Sequence, residues 1–235
     1  MNALEEFQSR DFLRDYRARV LFSMVPRGQS LFDLGSGNGV IAEFLKGRFN
    51  KIVLTDNSQI LVDQLQEKFK DRFDVEVRLA DANILEPVGL FDVITACDIL
   101  EHIEGGALCL DRCRVMLAPR GSMFISVPAF PLLYGLRDKK YGHLRRYRKR
   151  ELRRLLEDAG FQIDTIYYWN FIGFFPYLIS EKIFKKSLIA PARSYKKKSI
   201  VKNAINTILY FLLRIESHIP LPFGLTLIVI AKKRK

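Results

Sequence analysis

Three glycines separated by single residues, Gly35, Gly37 and Gly39, follow an apolar run that ends in Phe32-Asp33-Leu34. Glycine lets the chain turn sharply and brings backbone close to a ligand with no Cβ in the way. A helix starting at about Val40 then presents its N-terminus to a polar group. The remaining sequence repeats the same alternation. Strands are expected at residues 30–34, 51–55, 75–79, 91–96 and 122–127, with helices at 40–45, 59–72 and 106–117 between them. Pro119-Arg120-Gly121 ends the last of these helices, and Pro128 ends the fifth strand. Short apolar strands alternating with helices predict an α/β, doubly wound, mostly parallel sheet with helices on both faces.

A helix over 148–159 closed by Gly160, a sixth strand over 161–168 and a β-prone stretch over 224–231 complete the pattern. Ahead of the first strand, residues 3–25 carry Phe7, Phe12, Tyr16 and Val20 at helical spacing. More than fifty residues between the sixth and last strands read as a helical insertion, roughly 173–186 and 199–217. The expected organisation is an N-terminal helical segment (1–28), a core (29–169), a basic helical cap (170–222) and a last core strand with a basic tail (223–235). No apolar run reaches the ~18 residues needed to cross a bilayer.

Three cysteines (Cys97, Cys109, Cys113) and no apolar leader point to the reducing cytoplasm and argue against a disulfide framework. Cys109 and Cys113 lack neighbouring His or Cys to complete a zinc set and are read as buried helix-face residues, so no metal is expected. The net charge of +12 is unevenly placed. Residues 1–136 hold 15 Lys/Arg against 19 Asp/Glu, whereas residues 137–235 hold 23 against 7. The second part therefore favours an anionic partner: a charged acceptor, a membrane surface or nucleic acid.

Acids stand at the ends of three successive strands: Asp33, Asp56 and Asp81. Open α/β sheets bind ligands at the C-terminal ends of their strands. Asp56 lies twenty-one residues after Gly35, where a carboxylate can accept both hydrogen bonds of a ribose diol. Asp81 is placed to accept from an exocyclic adenine amine.

Together, Asp33 and the three glycines, Asp56, Asp81, Phe91-Asp92-Val93-Ile94 and Glu101-His102 resemble the class I S-adenosylmethionine-dependent methyltransferases. Residues 114–121 are similar to that family's helix and turn before strand five, with Arg120 where Gly is usual. The resemblance covers roughly residues 28–169 and the last strand. It implies a seven-stranded sheet with an antiparallel last strand, and S-adenosylmethionine as cofactor, released as S-adenosylhomocysteine. It places Gly35, Ser36, Gly37 and Gly39 at the methionine end, Asp56 and Asn57 at the ribose, Asp81 and Ala82 at the adenine, and Cys97 and Asp98 beside the methionine moiety. A nicotinamide-dependent dehydrogenase would show a related glycine loop. Here, however, an acid precedes the loop, a third acid follows strand three, and no Tyr-x-x-x-Lys pair is present.

An oxygen acceptor must lose its proton, and His is the usual base. The chain has His102, His143 and His218. His143, in Tyr141-Gly142-His143-Leu144-Arg145-Arg146-Tyr147, lies between strand five and the next helix, at the ligand edge of the sheet. This segment is similar to a Gly-His-x-Arg-Arg-Tyr signature in a bacterial subgroup of the family. His143, Arg145, Arg146 and Tyr147 are the catalytic candidates, with the two arginines as a clamp for phosphate or carboxylate. The expected acceptor is a small-molecule, lipid-linked or glycan-type compound methylated at oxygen. The aromatic entry Trp169, Phe171, Phe174, Phe175, Tyr177, followed by lysines, suits peripheral contact with the inner face of a membrane. RNA or protein methylation, or a non-catalytic binding protein with this fold, are the alternatives. Nucleic acid is the less favoured partner, because Asn/Asp-Pro-Pro-Tyr/Phe is absent after strand four and no RNA-binding module is visible.

Overall fold

The computed structural model describes residues 12–104, 106–184, 200–219 and 221–234. Phe7 and the basic linker with Lys185, Lys186 and Lys196 to Lys198 lie outside the described residues. In chain order the elements are α1 (Phe12–Ser23), β1 (Ser30–Leu34), α2 (Val40–Phe44), β2 (Lys51–Asp56), α3 (Gln59–Lys68), β3 (Val75–Leu79) and β4 (Phe91–Cys97). Then follow α4 (Ala107–Met116), β5 (Leu117–Pro128), α5 (Leu136–Tyr141), α6 (Lys149–Asp158), β6 (Phe161–Trp169), α7 (Phe174–Leu178), α8 (Ile200–Glu216) and β7 (Thr226–Lys233).

The seven strands form one sheet in the order β3-β2-β1-β4-β5-β7-β6. The pairs from β3 through β5 are parallel, and β7 runs antiparallel to both β5 and β6. The sheet is therefore mostly parallel with one reversed strand, as the sequence leads one to expect. Successive residues of β1 point to opposite faces. Phe32 and Leu34 join one apolar cluster with Ile94, Leu110 and Leu152, while Leu31 joins the other with Ile52, Phe124 and Trp169. Both faces of the central strands are thus buried, which is why β1, β2 and β4 read as largely apolar runs, whereas edge strands β3 and β6 are only partly buried. Cys109 and Cys113 are free thiols buried on α4.

The chain leaves β1 toward β2 and β3, then returns to place β4 on the other side of β1. That reversal opens a crevice at the C-terminal ends of β1 and β4. The register sets Asp33 opposite Leu54 on β2 and Thr95 on β4.

Three local features depart from the sequence expectation. β5 begins at Leu117, paired with Phe91, and pairing resumes only at Ser122 opposite Val93. Pro119, with no amide hydrogen, is looped out between these pairs instead of separating helix from strand. The stretch after β5 holds α5, whose six residues are too few to show a helical period. Gly142, at φ +74°, ends it. α7 continues into a π-turn over Ile179–Ile183. On the second face, Leu213 of α8 is buried, and its carbonyl accepts the indole N–H of Trp169 at 3.2 Å.

Candidate active site

The glycine loop is shaped by its own backbone. Gly35, Gly37 and Gly39 have φ of +71°, +55° and +71°, a region costly for residues with a Cβ. At Gly35 a Cβ would also lie 1.9 Å from Cδ1 of Ile99, in the segment after β4. Ser36 ties the loop to β2: its N–H donates to the Thr55 carbonyl at 2.7 Å, and its hydroxyl accepts from Thr55 N–H at 3.0 Å. The Asp56 carboxylate accepts from Gly37 N–H and Ser58 N–H, both at 3.0 Å. Each oxygen keeps further acceptor capacity, so the fixed carboxylate suits a ribose diol.

Asp33 is buried, and its Oδ1 accepts from the Thr95 hydroxyl at 2.6 Å. Burial pushes its pKa up to about 6, against the lowering effect of hydrogen bonds from Thr95 and Ser36 and with a further rise from nearby Asp56. Asp81 is half-buried and accepts from the backbone and side-chain N–H groups of Asn83 at 2.8 and 2.9 Å. Ala82 packs on the core beside it, and Asn57 is exposed. At the end of β4, burial raises the half-buried Cys97 thiol well above its usual range, with Asp33 and Asp98 adding to the effect. Asp98 is exposed at φ +56°, and its N–H donates to the Ser126 carbonyl at 2.8 Å. These positions follow one another along the C-terminal ends of β1, β2, β3 and β4.

A second cluster lies past β4 and β5. Asp138, fully buried on α5, accepts from His143 Nδ1 at 2.9 Å and from Arg146 Nε at 2.9 Å to both of its oxygens. Asp138 Oδ2 also accepts from the Gly135 N–H at 2.9 Å and from the Tyr177 hydroxyl at 3.3 Å. Burial alone would raise the Asp138 pKa, but the bonds from His143 and Arg146 hold it at about 2. Because the carboxylate is ionised, Nδ1 of His143 donates to it, and in the neutral ring the lone pair is then on Nε2. That Nε2 lies 3.9 Å from Oε1 of Glu101. His102 packs edge-on against His143 with ring centroids 4.8 Å apart, and its Nδ1 is bonded to the Gly142 carbonyl at 3.2 Å.

The other candidates divide. Arg146 is buried and committed internally to Asp138, the Ala129 carbonyl and the Tyr177 hydroxyl, so it positions His143's partner and does not reach out as half of a clamp. Arg145 is half-buried. The Tyr147 hydroxyl donates to the Leu100 carbonyl at 2.8 Å, and burial pushes its pKa up to about 12, outside the range of a neutral-pH base. His218 is exposed, bonded to the Arg214 carbonyl at 2.8 Å.

Asp138 escaped the sequence reading because it sits in Leu136-Arg137-Asp138, with no motif to mark it. Its position five residues before His143, either side of Gly142, was the available signal. Glu101 was visible only as a family letter beside His102. Glu181 is equally silent in sequence: its carboxylate accepts from Leu136 N–H at 3.0 Å and so fixes the start of α5 from the distant π-turn.

A family profile described as "Methyltransferase domain" matches residues 5–166. The chain is 27% identical over 181 residues to an uncharacterised 37.1 kDa protein in a Streptomyces fradiae transposon, covering 69% of this chain and 52% of that protein. It is 29% identical over 101 residues to a ubiquinone biosynthesis O-methyltransferase of Bradyrhizobium diazoefficiens, covering 42% and 40%. The chain thus spans about half or less of the length of these curated relatives. Among solved structures, a S-adenosylmethionine-dependent methyltransferase from Mesorhizobium loti superposes with a TM-score of 0.61 at 16% identity, covering 91% of this chain and 95% of that one. The profile takes in well over half of the chain and includes the glycine loop and its acids, so the protein belongs to the methyltransferase domain family, of the class I S-adenosylmethionine-dependent type.

Proposed function

We propose that the protein methylates an oxygen of a small, anionic acceptor of lipid-linked or glycan type, with His143 taking the acceptor's proton. One observation carries the reading: the segment after β4 touches both halves of the site. Its Ile99 closes over Gly35, and its Glu101 faces His143. When bound, S-adenosylmethionine supplies an electrophilic methyl carbon on a sulfonium. Gly35, Ser36, Gly37 and Gly39 would hold its methionine end, Asp56 and Asn57 its ribose, and Asp81 and Ala82 its adenine, with Cys97 and Asp98 alongside. Nε2 of His143 receives the acceptor proton, and ionised Asp138 stabilises the resulting imidazolium. Alignment of the two reactants does most of the remaining work.

The acceptor class rests on the basic half of the chain. A cavity of ≈ 450 Å³ beyond the end of β5 is lined by Phe130, Leu132 and Tyr168 together with Arg148, Lys149 and Arg150. Apolar walls with a cationic rim suit a greasy acceptor that bears an anionic group. We also assign the exposed stripe Ile208, Phe211, Leu212, Ile215 and Ile219 on α8 and the turn after it to contact with an anionic membrane surface. No helix among the described residues is long and apolar enough to cross a membrane. A stripe at this spacing, in a half of the chain with 23 Lys/Arg against 7 Asp/Glu, suits a helix lying in the interface.

Calorimetry with S-adenosylmethionine and S-adenosylhomocysteine, followed by an activity screen over lipid, quinone, glycan and RNA acceptors, tests this function. Absence of binding to either compound overturns the enzyme reading. Turnover confined to RNA overturns the acceptor.

A further inference from the structure

Glu101 is 0% exposed, and among the described residues neither of its carboxylate oxygens has a hydrogen-bond partner. A buried carboxylate left without partners is costly, so such groups are found paired or coordinating a metal. Glu101 stands among the charged groups of Asp98, Asp138 and Arg146 and beside two imidazoles with a fixed tautomer. Nδ1 of His143 donates to the Asp138 carboxylate, and Nδ1 of His102 donates to the Gly142 carbonyl, which can only accept. Each neutral ring therefore carries its lone pair on Nε2. One ligand atom from each of Glu101, His102 and His143 lies within 4.8 Å of the others. Ions bound at about 2.1 Å in tetrahedral geometry need donors roughly 3.4 Å apart, a closure that side-chain rotation can supply. His102 is exposed and His143 half-buried, so one side of the cluster is open.

We infer that Glu101, His102 and His143 bind one divalent transition-metal ion of zinc-like preference, with an open coordination position toward the acceptor side. Two imidazoles and a carboxylate suit such an ion, and the Asp138 carboxylate and Gly142 carbonyl hold the ligating rings by their far nitrogens. The consequence for catalysis rests on the proposed methyl transfer. In the ion-bound form Nε2 of His143 is a ligand, so its proposed role as the base belongs to the ion-free form. The ion then lowers the proton affinity of an acceptor hydroxyl in the open position, and that proton leaves to water. The favoured acceptors are thereby hydroxyl compounds able to enter as oxygen ligands.

The test uses the full chain, stripped with a chelator and dialysed, and titrated with zinc chloride and separately with cobalt chloride. The wild type is expected to take up one ion per chain, with the visible absorption of four- or five-coordinate cobalt. Glu101→Gln and His102→Ala should each weaken uptake by about 100-fold or more, and Asp138→Asn by about 10- to 100-fold. Affinity for S-adenosylhomocysteine, measured in the same samples, reports that each variant is folded. No uptake by the wild type, or wild-type affinity in Glu101→Gln and His102→Ala, overturns the site. Ion uptake without S-adenosylhomocysteine binding leaves the site standing and overturns the methyl-transfer reading instead.

Discussion

Asp138 holds His143 Nδ1 at 2.9 Å while both of its oxygens are held at 2.9 Å by Arg146 Nε. The carboxylate is thus ionised by one neighbour and used to orient another. Asp138→Asn removes the charge and allows the amide to present N–H to the ring, which favours the wrong tautomer. Turnover should fall by about 10²-fold or more, with affinity for S-adenosylhomocysteine retained. Arg146 would lose its counter-charge in a buried place, so the variant should also melt lower by an amount on the order of 3 kcal/mol. Steady-state kinetics and thermal unfolding on the same preparation check both.

Two glycines with nearly the same backbone separate strain from contact. Gly35 and Gly47 have φ of +71° and +74°, but a Cβ at Gly47 meets nothing within 4 Å, whereas at Gly35 it meets Ile99. Gly47→Ala should cost roughly 1 kcal/mol and leave cofactor affinity intact. Gly35→Ala should cost roughly 1–3 kcal/mol more and abolish measurable S-adenosylhomocysteine binding. Equal effects in the two variants would remove the contact with Ile99 from the account.

Asp33 sets a pH dependence. Its folded pKa of about 6 lies above the ordinary 3.8, so between these values the native state binds the extra proton. Stability therefore falls as pH rises through that window, by about 3 kcal/mol in all, and the loss is complete above the folded pKa. Asp33→Asn should flatten this part of the profile and be the more stable protein at pH 8. It should also bind S-adenosylmethionine, a cation at sulfur, less tightly relative to neutral S-adenosylhomocysteine. Denaturant melts at pH 5 and pH 8, with calorimetry for both ligands, decide it.

Phe211 and Ile215 lie one turn apart on the exposed side of α8. Replacing both with Glu should change stability by no more than about 0.5 kcal/mol per site, because neither is buried. Flotation with anionic vesicles should nevertheless be lost, and wild-type flotation should weaken with added salt. Flotation of the double variant at the wild-type level would sink the membrane assignment.

A strand with both faces buried, such as β1, was legible because a continuous apolar run leaves little room for another reading, and edge strand β3 because Val75, Val77 and Leu79 alternate with Glu76 and Arg78; both have the boundaries the sequence predicts. The glycine loop was legible for a different reason: φ above zero three times in five residues leaves few residue types. What the sequence concealed depends on approach in space. Nothing local says that Arg146 turns inward to Asp138 and Tyr177, or that Glu181 reaches back to α5. Short helices such as α5 have no period to detect, and a looped-out Pro119 looks the same as a turn.

The contact between Ile99 and the glycine loop makes the two halves of the site thermodynamically reciprocal. Ile99 cannot move without altering the space over Gly35, and Glu101 is only two residues further along the same segment. Whatever free energy one ligand gains by settling this segment, the other ligand gains in equal measure when it arrives second. Filling either pocket then favours the other by the same factor, whichever ligand enters first.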